Sequence, residues 1–300
     1  MNVVRTALGG WLMLACAAAL AVESEPERGS SRWVSAGGAL SEWLVLLGGE
    51  SRLVGVDTTS QHPASLKALP GIGYQRQLAA EGILALRPQL LLGTEEMGPL
   101  LILEQLKAAG VQVEVLSAQP QLPALQANLR RLGQLLGVEQ NAQQQWLRFS
   151  QRLQQQAQWL VQAQRQQAAP GVLLLLGHAG SSPMAAGQTT SAQWLIERAG
   201  GRNLASHQGY KALSNEALLA LDPEWVIVAD RSLGGAAAIR ALLVQNPALA
   251  ATQAGRNKRF LWLDPTLLVG GLGPRLPDGL AVLSAALYPA AQPLNAQGPQ

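Results

Sequence analysis

The chain has 300 residues, 48% of them hydrophobic and 14% charged, with a formal net charge of +3. That apolar content suffices for one or two sizeable cores and argues against a disordered chain. The basic residues are scattered, which excludes a large nucleic-acid footprint; the densest group, Arg256, Lys258 and Arg259, reads as a solvated loop entering the apolar run 260–263.

At the N-terminus, Arg5 precedes the apolar run 7–20, and Ala19 and Ala21 place small residues where cleavage is directed. The run is short and rich in small residues for a membrane span. It predicts a signal peptide over 1–21 and an exported protein. Cys16, the only cysteine, lies inside it. Cleavage after Ala21 leaves a mature chain with no disulfide and no thiolate metal site. Residues 13–16, MLAC, are a poor version of a lipoprotein signal, so lipid anchoring at Cys16 is the lesser alternative.

After a polar stretch, 32–36 reads as a strand and 40–49 as a helix ended by glycines. Then follow a strand at 52–56, a helix at 78–86, a strand at 89–93, a helix at 100–110 and a strand at 111–116. Strands alternating with short helices predict an α/β lobe with a largely parallel sheet, here bounded at 32–138. Residues 139–167 contain no glycine or proline and many glutamines, which are good helix formers. Trp146, Phe149, Leu153, Leu160 and Val161 recur at helical spacing and form one apolar stripe. A helix of that length spans roughly 40 Å, the width of a domain. We therefore expect a long helix across 139–169, followed by a second α/β lobe over 170–289.

That second lobe reads as strands at 171–177, 225–230 and 259–264, with helices at 190–201, 215–222, 237–244 and about 277–287. The tail 290–300 has nothing to bury. Glu81-Gly-Ile-Leu-Ala-Leu-Arg-Pro-Gln matches Glu216-Ala-Leu-Leu-Ala-Leu-Asp-Pro-Glu without a gap, an offset of 135. Each copy is a short helix, a proline turn and a buried strand. Two related lobes joined by one helix leave a cleft between them, a common place for a ligand.

No G-x-S-x-G elbow, phosphate-binding loop, H-E-x-x-H or G-x-G-x-x-G occurs in the chain. The three histidines, His62, His178 and His207, have no second candidate ligand beside them in sequence. A binding protein fits better than an enzyme. Tyr74 stands two residues before Arg76 in GIGYQRQL, 71–78. Phenolate is a hard donor suited to ferric iron, and tyrosine is a known haem ligand. A phenol titrates near 10, so ligation needs the iron and a nearby cation to favour its charged form. On spacing alone, an ordinary half-buried tyrosine is the simpler reading.

The stretch LVGVDTTSQHPASLKALPGIGYQRQLAAEGILALRP, 53–88, resembles the first-lobe signature of periplasmic haem-binding proteins that feed bacterial ABC haem importers. The likeness continues through GHAGSSPMAAGQTTSAQWLIERAGGRN, GYKALSNEALLALDPEWVIV and GGLGPRLPDGL, so it covers roughly 33–288. It implies two Rossmann-like α/β lobes with mainly parallel sheets, one backbone helix and a ligand cleft between the lobes. It further implies a monomer that carries haem as cargo from an outer-membrane receptor to an inner-membrane permease and its ATPase, without catalysing a reaction.

In the family, the tyrosine of Gly-Tyr-x-Arg ligates haem iron and the arginine supports it; those roles fall on Tyr74 and Arg76. His178 stands where some members carry a second ligand, although GHAG here replaces the usual SHGG. A hydrogen bond to the adjoining turn explains His178 equally well. Arg275 is a candidate propionate contact, with plain surface exposure as its alternative. Tyr210 matches Tyr74 but lacks the following Gln-Arg pair, which makes it a wall residue. Glu81 and Glu216, one per lobe, match the family's permease-docking glutamates; each is also explained singly by the helix dipole. Two rivals stand beside this reading: a siderophore or cobalamin carrier of the same fold, and an exported metal-dependent enzyme.

Overall fold

The computed structural model describes residues 31–177 and 182–291, which fall in one compact unit. The expected signal peptide, Cys16, His178 and the end of the tail lie outside the described residues.

The first half runs β1 (Trp33–Ala36), α1 (Gly38–Leu46), β2 (Leu53–Val56), α2 (Ala80–Ala85), β3 (Leu90–Thr94), α3 (Leu100–Ala108), β4 (Gln112–Leu116) and α4 (Leu122–Leu136). Its four strands form an all-parallel sheet in the order β2-β1-β3-β4. β3 is buried along its whole length because helices cover both faces. This is why it reads as a continuous apolar run and not as an alternation.

A 26-residue helix follows, α5 (Glu139–Gln164). The second half then runs β5 (Gly171–Gly177), β6 (Met184–Ala186), α6 (Ser191–Arg198), β7 (Arg202–Asn203), β8 (Tyr210–Ala212), α7 (Asn215–Leu221), β9 (Trp225–Asp230), α8 (Gly235–Gln245), α9 (Gln253–Arg256), β10 (Phe260–Trp262) and α10 (Leu276–Leu287). Here the order is β10-β9-β5-β6-β8, with β7 paired to β5. β10, β9 and β5 are parallel, whereas β6 is antiparallel to both β5 and β8. The second sheet is therefore mixed, although parallel pairing predominates across the two sheets as expected, and its short antiparallel strands are not announced in the sequence.

The long helix packs on both halves. Phe149 meets Trp43 of α1 edge-on at 5.7 Å between ring centroids. Further along, Gln156 is buried and donates to the Arg198 carbonyl at 3.0 Å and to Ser284 Oγ at 2.7 Å. Gln164 donates to the Tyr288 hydroxyl and, beyond the helix, Gln167 donates to the Leu287 carbonyl. Glutamine suits this helix twice over: it favours the helical backbone, and its amide satisfies polar groups at the ends of neighbouring helices. The buried face is Ala142, Phe149, Leu153, Gln156 and Ala163. Val161, expected on the stripe, is 54% exposed, so the stripe bends away from it.

One apolar core runs from Trp33 and Leu44 of the first half through Phe149 to Ile227 and Tyr288. Hinge motion between lobes would have to part this close-packed layer, in contrast to a two-strand hinge. Ligand uptake is expected to leave the small-angle scattering profile nearly unchanged. A clear fall in radius of gyration on binding would refute a rigid body.

Candidate functional site

The cleft opens at the carboxyl ends of the central parallel strands, where α/β folds place their ligands. Tyr74 arrives on the loop that follows an isolated bridge between Val56 and Gly71. Gly73 adopts φ +85° and accepts from the Thr58 N–H, which turns the chain into the cleft. A tight turn follows, closed by the Gln77 N–H on the Tyr74 carbonyl at 2.7 Å. The Gly98 N–H donates to the Gln75 carbonyl and the Leu78 N–H to the Gly98 carbonyl, which fastens the turn to the segment after β3. The sequence places Tyr74 on a loop; the structure ties that loop to its neighbours by backbone hydrogen bonds.

Beside the phenol lie one guanidinium and one ion pair. The Arg231 guanidinium carbon lies 5.6 Å from the centre of the Tyr74 ring. Arg76 is ion-paired with Glu96, whose other oxygen accepts from Gln75 Nε2 at 3.0 Å. Tyr74 and Arg231 line two adjoining cavities. One, of about 560 Å³, is also lined by Arg76, Glu96, Leu176 and Tyr210. The other, of about 630 Å³, is also lined by Thr58, His62, Trp262 and Thr266. Both volumes suit a small-molecule ligand.

Tyr210 stands in the wall of the first cavity, as its sequence match suggests. Burial, and then the Glu96 carboxylate, push its phenol up to about 12, against the opposing pull of Arg231 and Arg76. It keeps its proton at neutral pH and offers a hydrogen bond, not a phenolate. His62 borders the second cavity, with Nε2 3.0 Å from Asp264 Oδ2. His207 is spent on the Ala185 carbonyl at 3.0 Å. Among the described residues no cluster of three His, Cys, Asp or Glu gathers to hold a metal ion.

Arg275, by sequence a candidate propionate contact or a plain surface residue, is engaged by side chains of the protein itself. Its Nε and Nη2 donate to the two oxygens of Glu42 at 2.8 Å each, Nη1 to Asp264 at 2.9 Å and Nη2 to Thr266 Oγ1 at 2.7 Å. The guanidinium is thus committed, and it borders neither cleft cavity. Burial works against its charge, but Glu42 and then Asp264 outweigh it and hold the pKa above the usual arginine value. Burial likewise opposes the Asp264 charge, yet the Thr266 hydroxyl and N–H with Arg275 keep that carboxyl low. Because Glu42 belongs to α1 and Asp264 follows β10, the network clasps the two halves together. Arg275→Ala strands a 6%-exposed carboxylate, and should cost about 2–4 kcal/mol of unfolding free energy. Urea denaturation reads this loss; a change below about 0.5 kcal/mol would dismiss the clasp.

Glu81 and Glu216 are exposed and occupy the second positions of α2 and α7. The Ser214 hydroxyl, together with the residue's own N–H, holds the Glu216 carboxyl low, so it is firmly anionic at neutral pH. Glu81 stands in the first turn of α2, which has no side-chain cap.

Sequence reasoning missed Arg231 and Glu96. The repeat holds a signal for both: Glu96 and Arg231 are separated by the same offset of 135 as Glu81 and Glu216. They emerge at the ends of the equivalent strands β3 and β9. Opposite charges at matching places on two lobes face one cleft.

The site can be set beside known proteins. Residues 34–267 match the family described as periplasmic binding protein. Among solved structures, a periplasmic heme binding protein from Pseudomonas aeruginosa is 65% identical with TM-score 0.86, over 88% of this chain and 94% of that one. HutB of Vibrio cholerae, also described as a periplasmic heme binding protein, is 39% identical with TM-score 0.74, over 86% and 99%. BhuT, a periplasmic heme-binding protein in complex with two hemes, is 37% identical with TM-score 0.77, over 86% and 98%. No curated protein matches. With a two-sheet frame, a cleft at the strand ends and a family match over most of its length, the chain belongs to the periplasmic binding proteins.

Proposed function

We propose that this protein binds ferric haem in the cleft and delivers it to an inner-membrane ABC importer. The observation that carries the reading is Tyr74, presented on a fixed turn with a guanidinium over its ring. The tyrosine oxygen is a hard donor suited to ferric iron, and it lines both cleft cavities. Tyr74 serves as the iron ligand, with Arg76 and Arg231, which line the same cavity, as its support. His178, outside the described residues, is a candidate second ligand. Haem is cargo here and no reaction is catalysed, in keeping with a family of transport components.

Delivery falls to Glu81 and Glu216, which we assign to docking on the permease, coupled in turn to its ATPase. An outer-membrane receptor is the source of haem. Export follows from cleavage after Ala21, with a tether at Cys16 as the alternative. The division into lobes 32–138 and 170–289 about the helix 139–169 is part of the same reading.

Siderophores and cobalamin reach a carrier with their metal already saturated and leave Tyr74 without a task. Tryptophan fluorescence of the purified mature protein, titrated with hemin, a ferric siderophore and cobalamin, separates the three. Hemin alone should quench it with saturation. Saturable binding of either rival in preference to hemin overturns the assignment.

A further inference from the structure

We propose that Trp262 is a binding residue for the macrocycle: with Leu233, it takes an apolar face of the tetrapyrrole, whether or not the ring holds iron. The inference rests on the reading of the cleft as a haem site, and on no metal ligand.

Trp262 ends β10, and Leu233 stands on the loop that leaves β9, its parallel neighbour. Both therefore emerge at the carboxyl ends of adjacent strands, where the cleft opens. Asp230 Oδ1 ties that loop by accepting from the Ser232 and Leu233 N–H groups at 2.7 and 2.8 Å. Trp262 and Leu233 both line the cavity of about 630 Å³.

Trp262 is 40% exposed, and among the described residues it is the one exposed aromatic. No second ring packs on the indole and no cation lies over it among those residues. Gly234 has no side chain to cover it: a Cβ there would lie 3.8 Å from Trp262 Cζ2, at contact distance. A lone exposed apolar side chain is ordinary. Here Leu233 is exposed in the same cavity, and Met184, of β6, is exposed in the adjoining one. All of them come from the second half of the chain, whereas the first half lines the larger cavity with Thr58, Thr59 and Gln61.

Such a wall selects for shape and polarity. A tetrapyrrole is flat, apolar on both faces and charged at one edge. Covering the indole with such a face removes apolar surface from water, and offset stacking of rings adds to the gain. A polar chelate of the same size gains little there.

The test is equilibrium binding of hemin and of metal-free protoporphyrin IX to the purified mature protein, followed by porphyrin absorbance. The wild-type protein is expected to bind both. Trp262→Ala should weaken both about tenfold and by the same factor. Trp262→Phe should stay within about threefold of wild type, because a smaller ring still stacks. Tyr74→Ala, by contrast, should weaken hemin and leave protoporphyrin IX within about twofold, since that ring has no iron to ligate. Wild-type affinity in Trp262→Ala overturns the inference, as does a loss confined to hemin or a wild-type protein that ignores protoporphyrin IX. A loss that Trp262→Phe fails to restore marks a merely structural tryptophan and overturns it too. Hemin left unbound by the wild-type protein removes the haem reading itself, and the inference with it.

Discussion

Tyr74→Ala is expected to weaken ferric-haem binding roughly a hundredfold or more, whereas Tyr210→Ala should cost less than about tenfold. Groups that only support a metal ligand are worth about 10–100-fold, so loss of the ligand lies at or beyond the upper end. The asymmetry comes from the surroundings of the two phenols. Tyr74 has Arg231 over its ring and sits on a turn fixed by backbone bonds. Tyr210 is held protonated, its phenol pushed up to about 12 by burial and then by Glu96, and its removal deletes one hydrogen-bond donor, a loss of about 1 kcal/mol. Arg231→Ala belongs between them, at about tenfold. Isothermal titration with hemin measures all three. Equal losses at Tyr74 and Tyr210 would remove Tyr74 from the iron.

Replacing both Glu81 and Glu216 by alanine is expected to stop haem-dependent growth while leaving the haem spectrum and affinity as they were. Both side chains are exposed and neither borders a cleft cavity. A single exposed ion pair contributes about 0–1 kcal/mol, so either variant alone should lower transport only modestly. On a rigid body the second contact forms within an already docked complex and gains from effective concentration. The double variant should therefore lose more than the two singles suggest. Permease-stimulated ATP hydrolysis in reconstituted vesicles is the measurement, and raised salt should mimic the double variant by screening the pairs. Normal transport in the double variant ends the docking assignment; loss of haem binding moves these residues to the pocket or to folding.

Much of this architecture is legible because burial on two faces leaves a plain trace. β3, β5 and β9 appear as the apolar runs LLLGT, GVLLLLG and WVIVAD. The helix over Glu139–Gln164 shows in its apolar stripe and its lack of glycine and proline. α4 escaped notice although Leu125, Leu129, Leu132 and Leu136 keep helical spacing. Pro123 and Gly133 look like interruptions, yet the proline occupies the first turn, where its missing N–H costs nothing. Gly133 is needed for contact: a Cβ there would lie 2.9 Å from the Ala142 Cβ of α5. β6 and β8 were hidden by their length of three residues. Arg275 shows the limit for side chains. Its sequence neighbours give no hint of Glu42, which lies 233 positions away and takes both ends of the fork. Tyr74 and Arg76 were found through their motif, whereas Arg231 and Glu96 carry no motif and needed the repeat.

The central claim, that this cleft takes haem through a tyrosine, is tested most directly by the visible spectrum of the purified mature protein titrated with hemin. The account predicts saturable uptake and a ferric high-spin spectrum with a tyrosinate-to-iron charge-transfer band, absent from Tyr74→Ala. Hemin that stays unbound, or a wild-type spectrum retained in full by Tyr74→Ala, would contradict it.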